Sequence, residues 1–177
     1  MHEPLDHELM ERIGAGEENA FPLLIRRYQS PLLNFFRRLG AHHDAEDCVQ
    51  DVFLRLYRYR DRYEHSAKFT TFLYTLARHV WTDRWRKRQR MERIEERARQ
   101  EMPTESDGNL GRTRAALDAQ QALKQLPEKL RIVLVMSLYQ GLRYNEIADA
   151  LQIPMGTVKS RVFLALQRLK EIYHDRL

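Results

Sequence analysis

Apolar residues recur along most of this chain at the three- and four-residue spacing that is typical of amphipathic helices. The spacing predicts a short helix within residues 1–16, a helix over 20–39 that breaks or restarts near Pro31, and a helix that starts at Asp44. Residues 69–90 predict one long helix, and several shorter helices follow in the C-terminal part. Because no clear period-two pattern marks a strand, the predicted fold class is all-α.

The predicted helix over 69–90 has two different faces. One is a core stripe of apolar residues: Phe69, Phe72, Leu73, Leu76 and Val80. The other interleaves aromatic and basic side chains: Tyr74, Arg78, Trp81, Trp85 and Arg88. Rings stack on unpaired bases at roughly 1–3 kcal/mol each and cations follow the phosphates, so this second stripe suits single-stranded nucleic acid. The alternative is an amphipathic helix with its aromatics in the core and its charges in water.

The helix that starts at Asp44 has an acidic face, which is unusual in a basic protein. Asp44 is predicted to cap the helix, and further acids in the first turn lie where the helix dipole favours negative charge. The acidic face carries four residues at helical spacing: Asp47, Gln50, Asp51 and Leu54. It indicates either a solvated face or a docking face for a basic partner, with Leu54 as the anchor and carboxylates that select Arg.

The helical spacing is lost after residue 94, where proline and glycine interrupt a polar stretch. This change predicts a flexible linker over residues 94–112. The linker divides the chain into two small helical domains, residues 1–93 and residues 113–177.

The second domain contains the pattern of a helix-turn-helix. A short helix that ends near Leu151, a tight turn over 152–154 and a long helix follow one another. The outer face of the long helix offers side chains that suit the major groove of DNA: Thr157, Lys159, Ser160, Arg161 and Phe163. No acidic residue lies between Asp149 and Glu171, which favours DNA binding over the alternative of a plain helical hairpin.

Composition narrows the class of protein further. The 177 residues carry a formal charge of +5 at pH 7, which suggests a polyanionic partner. No signal peptide and no run of 18 apolar residues is present, so we expect a soluble, cytoplasmic protein without membrane insertion. The histidine and carboxylate cluster at 42–46 fits no closed zinc site, and neither a P-loop nor a glycine-rich nucleotide motif occurs. We therefore predict a protein that is not an enzyme and that binds no metal and no cofactor.

Three segments together resemble bacterial RNA polymerase sigma factors of the extracytoplasmic-function (ECF) type, in the sigma-70 family. They are DAEDCVQDVFLRLYR (44–58), FLYTLAR (72–78) with the basic run after it, and LRYNEIADALQIPMGTVKSRVFLALQRLK (142–170). The resemblance covers nearly the whole chain and implies a subunit that binds core RNA polymerase and directs promoter recognition and strand opening. A stand-alone DNA-binding regulator would share only the helix-turn-helix, and the sequence offers no site for an enzyme.

The resemblance implies a role for each predicted surface. The acidic face would dock on the clamp helices of the largest polymerase subunit, and the helix-turn-helix would read the −35 element while it contacts the polymerase flap. The long helix and the loop before it would read and open the −10 element through Tyr63, His65, Lys68, Tyr74, Arg78, Trp81, Arg84, Trp85 and Arg88. An anti-sigma factor is expected to hold the free protein. Promoter elements about 16 base pairs apart lie roughly 55 Å apart, and a linker of about twenty residues reaches at most ~65 Å.

Three residues depart from the pattern of the family. Arg143 stands where the family often has a Ser-type cap, and His79 stands where it often has Asn. Leu164 stands where a basic or histidine side chain often faces DNA. The last departure bears on the individual −35 contacts and not on the expected docking mode.

Overall fold

The computed structural model describes residues 4–65, 67–98 and 114–174 of the chain. These residues form α1 (Asp6–Gly14), α2 (Phe21–Leu39), α3 (Ala45–Tyr59), α4 (Phe69–Ala98), α5 (Arg114–Gln125), α6 (Glu128–Leu138), α7 (Tyr144–Leu151) and α8 (Met155–His174). Two 3-10 turns, Glu18–Ala20 and Arg60–Arg62, precede α2 and α4. No strand occurs in the three described ranges, and the predicted all-α class is confirmed. None of the helices in these ranges is both long and apolar enough to cross a membrane.

The first domain packs α1 to α4 around an apolar core. Each helix contributes because its apolar residues fall on one face at helical spacing. The side chains that are fully buried include Leu9, Leu24, Phe35, Val52 and Leu73. α2 stops at Gly40, whose φ of 109° lies in the left-handed region that glycine adopts without a Cβ clash. This packing sets α3 beside α4, so the predicted docking face and the predicted melting helix are neighbours.

Two helix boundaries differ from the prediction. α2 runs without a break from Phe21 to Leu39, so the expected interruption near Pro31 is wrong. A proline removes one bond from the helical ladder, and buried apolar residues on both sides of Pro31 outweigh that loss. α4 continues to Ala98 and so includes the start of the predicted linker over 94–112. The rest of that linker lies outside the described residues.

Asp44 occupies the N-cap position of α3, as predicted, but its side chain makes no capping hydrogen bond. Its carboxylate instead accepts a bond from α4, with Oδ1 lying 3.2 Å from Nη2 of Arg88. The guanidinium carries a full positive charge, so this contact is an ion pair as well as a hydrogen bond. Asp44 therefore ties the start of α3 to α4.

The second domain, α5 to α8, contains the predicted helix-turn-helix. Gln152 closes α7 with a φ of 55°, and the N–H of Ile153 donates to the carbonyl of Ala148 at 3.1 Å. A left-handed residue of this kind ends a helix and redirects the chain, here into α8. α6 supplies the centre of the domain and is buried from Arg131 to Met136.

The two domains pack against each other. α7 lies along α4, while α5 and α6 lie against α2. Apolar residues of both domains belong to one buried cluster, which includes Phe35 and Tyr74 of the first domain and Leu123 and Val133 of the second. Helical spacing predicts two domains on a linker and carries no information about this contact.

Candidate nucleic-acid and partner interfaces

The predicted docking face lies on the outer side of α3. Leu54 is 53% exposed, and Asp47 and Gln50 are exposed beside it. Asp51 is half-buried, because its Oδ2 accepts a hydrogen bond at 3.1 Å from Nη2 of Arg84 on α4. Three of the four predicted residues therefore form an open patch, and the fourth is engaged within the molecule.

An apolar groove borders this face, and the sequence reasoning missed it. The groove has a volume of about 650 Å³ and lies between α2 and α3, with Leu54 among its lining residues. Its α2 side is formed by residues that recur every four positions: Phe21, Ile25, Gln29 and Leu33. In the sequence, this second stripe beside the core stripe of α2 is the pattern that would have indicated the groove. An apolar groove with a leucine at its edge can receive the apolar side of a partner helix.

Arg84 and Arg88, predicted to act at the −10 element, connect α4 to α3 in this structure. Arg84 bonds Asp51, and Arg88 donates from Nη2 to Asp44 and from Nη1 to the carbonyl of Gly40 at 3.3 Å. Both arginine side chains are half-buried. Their charges are therefore partly balanced by carboxylates of the first domain.

The aromatic stripe of α4 is present, but two of its rings are buried, and Tyr74 packs on Phe35 of α2 as well as bonding the second domain. Tyr74 is 3% exposed and Trp81 is 1% exposed. The hydroxyl of Tyr74 donates to Oε1 of Gln140, and Nε1 of Trp81 donates to Oε1 of Glu128 at 3.1 Å. Burial raises the pKa of Tyr74. Neither ring is accessible to a base in this arrangement, whereas Trp85, with its ring centroid 5.9 Å from that of Trp81, is half-buried.

Arg78 and its neighbour His79 lie at the same interface. Nη2 of Arg78 lies 3.0 Å from Nε2 of His79 and 3.5 Å from Oε1 of Gln152 in the second domain. Burial and the charges of Arg78 and Arg55 lower the pKa of His79 below its ordinary value. The shift favours the uncharged imidazole, whose Nε2 accepts a hydrogen bond from Arg78 in the tautomer that carries its proton on Nδ1.

The loop before α4 borders a cavity of about 700 Å³. Tyr63 lines the cavity, and its ring centroid lies 5.4 Å from that of Phe72 on α4. Asp149 of α7 lines the same cavity from the side of the second domain. His65 belongs to the same loop, but its ring stacks on His7 of α1 with a centroid distance of 4.2 Å. The structure thus places Tyr63 at this cavity and His65 against α1.

Lys68 is joined to the second domain through Glu146. Nζ of Lys68 lies 2.6 Å from Oε1 of Glu146, whose Oε2 accepts a bond from the backbone N–H of Arg143 at 2.7 Å. Burial raises the pKa of Glu146, but the bonds from Lys68 and Arg143 outweigh it and hold the pKa below its ordinary value. Glu146 therefore caps α7 from its third position, although Arg143 stands where a Ser-type cap is common.

The predicted DNA-reading residues lie in the first half of α8. Lys159 and Ser160 are exposed, and Phe163 is 60% exposed. Thr157 and Arg161 are half-buried at the edge of the same face. The opposite side of α8 is anchored by buried Val158, Val162 and Ala165. The face predicted from the sequence is thus open, and Leu164 is exposed beside it.

Comparisons with known proteins agree with this arrangement. The model of sigma-70 region 2 matches residues 24–91, and the model of sigma-70 region 4 matches residues 116–169. The first match holds most of the first domain, including α3 and the aromatic part of α4. The second match holds the helix-turn-helix.

Two relatives are similar over nearly the whole chain. The RNA polymerase sigma-H factor of Pseudomonas aeruginosa is 30% identical, over 93% of this chain and 91% of the relative. The ECF RNA polymerase sigma factor SigW of Bacillus subtilis is 30% identical, over 94% of this chain and 95% of the relative. Two helical domains that match regions 2 and 4 define a transcription initiation factor of the sigma-70 class. The chain belongs to the extracytoplasmic-function family of RNA polymerase sigma factors.

The fold also matches a solved structure. The sigma factor RpoE in complex with the anti-sigma factor NepR, from Bartonella quintana, has a TM-score of 0.73 and 26% identity to this chain. The match covers 87% of this chain and 96% of that one. The likeness therefore extends over both domains.

Proposed function

We propose that this sigma factor docks on core RNA polymerase through the acidic face of α3, reads and opens the −10 element with α4 and the loop before it, and reads the −35 element with α8. One observation carries the proposal. An exposed acidic face around Leu54 and an exposed basic face on α8 lie on different domains of one chain. A basic protein partner and duplex DNA need surfaces of opposite charge, and this chain offers one for each.

The docking face offers a partner both charge and apolar area. Asp47 and Gln50 present acceptors to basic side chains, and Leu54 stands at the edge of the groove between α2 and α3. Buried apolar anchors supply most of the binding energy in such contacts, and complementary charge selects the partner. The proposed partner segment is the clamp helices of the largest polymerase subunit, with the flap as the contact of the second domain.

The two DNA-reading surfaces differ in the state of the DNA that they suit. α8 presents Lys159, Ser160 and Phe163, which can reach base edges in the major groove of a duplex. α4 carries rings that stack only on unpaired bases, and the cavity beside Tyr63 suits a base that has left the stack. Recognition and melting make no covalent bond. The proposed function is accordingly not enzymatic, and it needs no metal or cofactor.

We also propose an anti-sigma factor as a partner. The similar sigma factor of Bartonella quintana was solved in complex with one. The groove beside Leu54 and the open face of α8 are surfaces that such a protein would have to cover. Because polymerase and chromosome share the bacterial cytoplasm, the proposed site of action is cytoplasmic.

Binding to core RNA polymerase without DNA tests this function against that of a stand-alone DNA-binding regulator. The wild type should bind core, and an Asp47→Arg, Leu54→Ala double variant should bind at least ~10-fold more weakly, because a charge contact and an apolar anchor are lost. Both positions are exposed, so the thermal melt of the variant should match that of the wild type. A pull-down with quantified core subunits measures the effect.

The matched control makes equivalent exchanges, an acid to Arg and a leucine to Ala, elsewhere on the first domain. Glu11→Arg with Leu5→Ala alters two exposed residues near α1 and should leave core binding unchanged. Equal binding by the wild type and the docking variant would mean that the docking face is misassigned. A wild type that binds promoter DNA but never core would favour the stand-alone regulator.

A further inference from the structure

Two contacts join α1 to the loop before α4, residues 60–65. The ring of His7 on α1 stacks on the ring of His65, with centroids 4.2 Å apart and planes 22° apart. Gly14, the last residue of α1, lies against the 3-10 turn at the start of the loop. A Cβ at this position would lie 3.3 Å from the carbonyl oxygen of Arg60. α1 therefore touches the loop near both of its ends.

The contact at Gly14 reaches the backbone that carries Tyr63. The carbonyl of Arg60 that faces Gly14 also accepts a hydrogen bond at 3.3 Å from the backbone N–H of Tyr63. Glycine permits this close approach of two backbone segments because it has no Cβ. A methyl group at position 14 would displace the carbonyl by a few tenths of an ångström. Such a displacement would be passed on to Tyr63.

α1 is firmly seated in the first domain, so it can fix the position of the loop. Asp6, at the start of α1, accepts hydrogen bonds from the guanidinium of Arg27 and, at 2.5 Å, from the hydroxyl of Tyr28. Both donors belong to α2. Three apolar side chains of α1 are buried in the core: Leu9, Met10 and Ile13. A loop segment that packs on an anchored helix opens less often than one that is surrounded by water.

Tyr63 lies between the two contacts, and no hydrogen bond holds its side chain. The hydroxyl is buried and has no hydrogen-bond partner among the residues that the structure describes. Burial raises the pKa of Tyr63, and the charges of Asp6 and Glu11 on α1 raise it further. The ring packs on Phe69 and Phe72 of α4, at centroid distances of 6.3 and 5.4 Å. A ring that is held by packing takes its position from the backbone that carries it.

We propose that His7 and Gly14 of α1 are positioning residues for base reading at the −10 element. This inference rests on the proposed function of the loop, whose cavity beside Tyr63 receives a base that has left the stack. Neither residue touches a base. They hold the loop, and the loop gives the cavity a fixed shape. A site discriminates between ligands only while the groups around it are held in place.

Three variants and two matched controls separate positioning from folding. His7→Ala removes the ring stack, whereas His7→Phe keeps a flat ring that can stack on His65. Gly14→Ala displaces the turn, although alanine itself favours a helix. The controls are His43→Ala, at an exposed position outside the loop, and Gly156→Ala, where a Cβ meets nothing within 4 Å. All five should melt like the wild type, because none opens a cavity in the core.

The base preference is measured with holoenzyme, assembled from core polymerase and the full chain, at a promoter that the wild type opens. Templates carry each of the four bases at each position of the opened segment, and permanganate reactivity of the unchanged thymines gives the rate of opening. The wild type should prefer one base by about tenfold or more at one position at least. His7→Ala and Gly14→Ala should each reduce that preference to about threefold or less. His7→Phe and both controls should retain it.

Each other outcome is decisive. A wild-type preference in His7→Ala or in Gly14→Ala would overturn the positioning role of that residue and leave the proposed function standing. An equal loss in His7→Phe and His7→Ala would overturn the role of the ring stack. A wild-type holoenzyme that opens promoters without preferring any base in the opened segment would remove base reading by the loop, and this inference with it.

Discussion

Arg131 shows how one side chain can serve both domains. Its guanidinium donates to the carbonyls of Leu39, Lys124 and Leu126 at 2.7, 3.0 and 2.8 Å. It is only 7% exposed, and burial lowers its pKa. These bonds to both Nη groups offset much of the cost of burying the charge, whereas the buried Nε has no hydrogen-bond partner. The three carbonyls depend in turn on this one donor group.

Replacement of Arg131 by Met should lower the free energy of unfolding by about 1–3 kcal/mol, because buried carbonyls lose their donors. Urea unfolding followed by circular dichroism measures the loss. Arg168→Met provides the comparison, since Arg168 is 63% exposed and its pair with Glu171 is screened by water. That variant should cost less than about 1 kcal/mol. Equal losses in the two variants would contradict the role assigned to Arg131.

Helical spacing predicts which face of a helix a candidate site residue occupies, but it does not predict whether another element covers that face. It placed Leu54 outside the core stripe of α3, and Leu54 is exposed. It also placed Tyr74 and Trp81 outside the core stripe of α4, yet both are buried. Their hydrogen-bond partners, Gln140 and Glu128, lie 66 and 47 residues further along the chain. Periodicity describes one element at a time, so it cannot indicate which distant element will cover a face.

Helix ends were harder to predict than helices. The two stripes of α4 end at Val80 and Arg88, so the sequence predicts a helix over 69–90 and a linker that starts at residue 94. The next residues, Ile94 to Ala98, are mostly strong helix formers, and the helix continues through them without an apolar stripe. In α2, Pro31 predicts a break, but the helix is continuous because apolar residues on both sides of Pro31 are buried.

α8 combines an anchored side with an open side, which makes its outer residues suitable for substitution. Lys159→Ala and Arg161→Ala should each weaken duplex promoter binding by holoenzyme by about 1–3 kcal/mol, because a contact with a base edge is lost. Anisotropy titrations with duplexes that carry or lack the −35 element measure this effect. Arg168→Ala lies further along α8 and should change little. A Lys159→Ala variant with full affinity and full −35 dependence would argue against α8 as the reading helix.

The proposed function and the structure require different distances between the two domains. Promoter elements about 16 base pairs apart lie roughly 55 Å apart along DNA. In the structure, however, the two domains share one buried cluster and α7 lies along α4. The sequence predicts two helical domains, because each is built from local patterns. It could not predict the packing between them, which depends on scattered polar pairs such as Lys68 with Glu146.

Promoter opening by core RNA polymerase together with this chain can be mapped directly. Permanganate oxidises unpaired thymines, so it maps opened DNA across the genome of the source bacterium. Addition of the wild-type protein to core polymerase should create discrete reactive sites just upstream of transcription starts. At the same concentration the Asp47→Arg, Leu54→Ala variant should create far weaker reactivity at these sites, because it binds core more weakly. Identical permanganate maps with and without the wild-type protein, although it binds core stably, would mean that this chain does not open promoters.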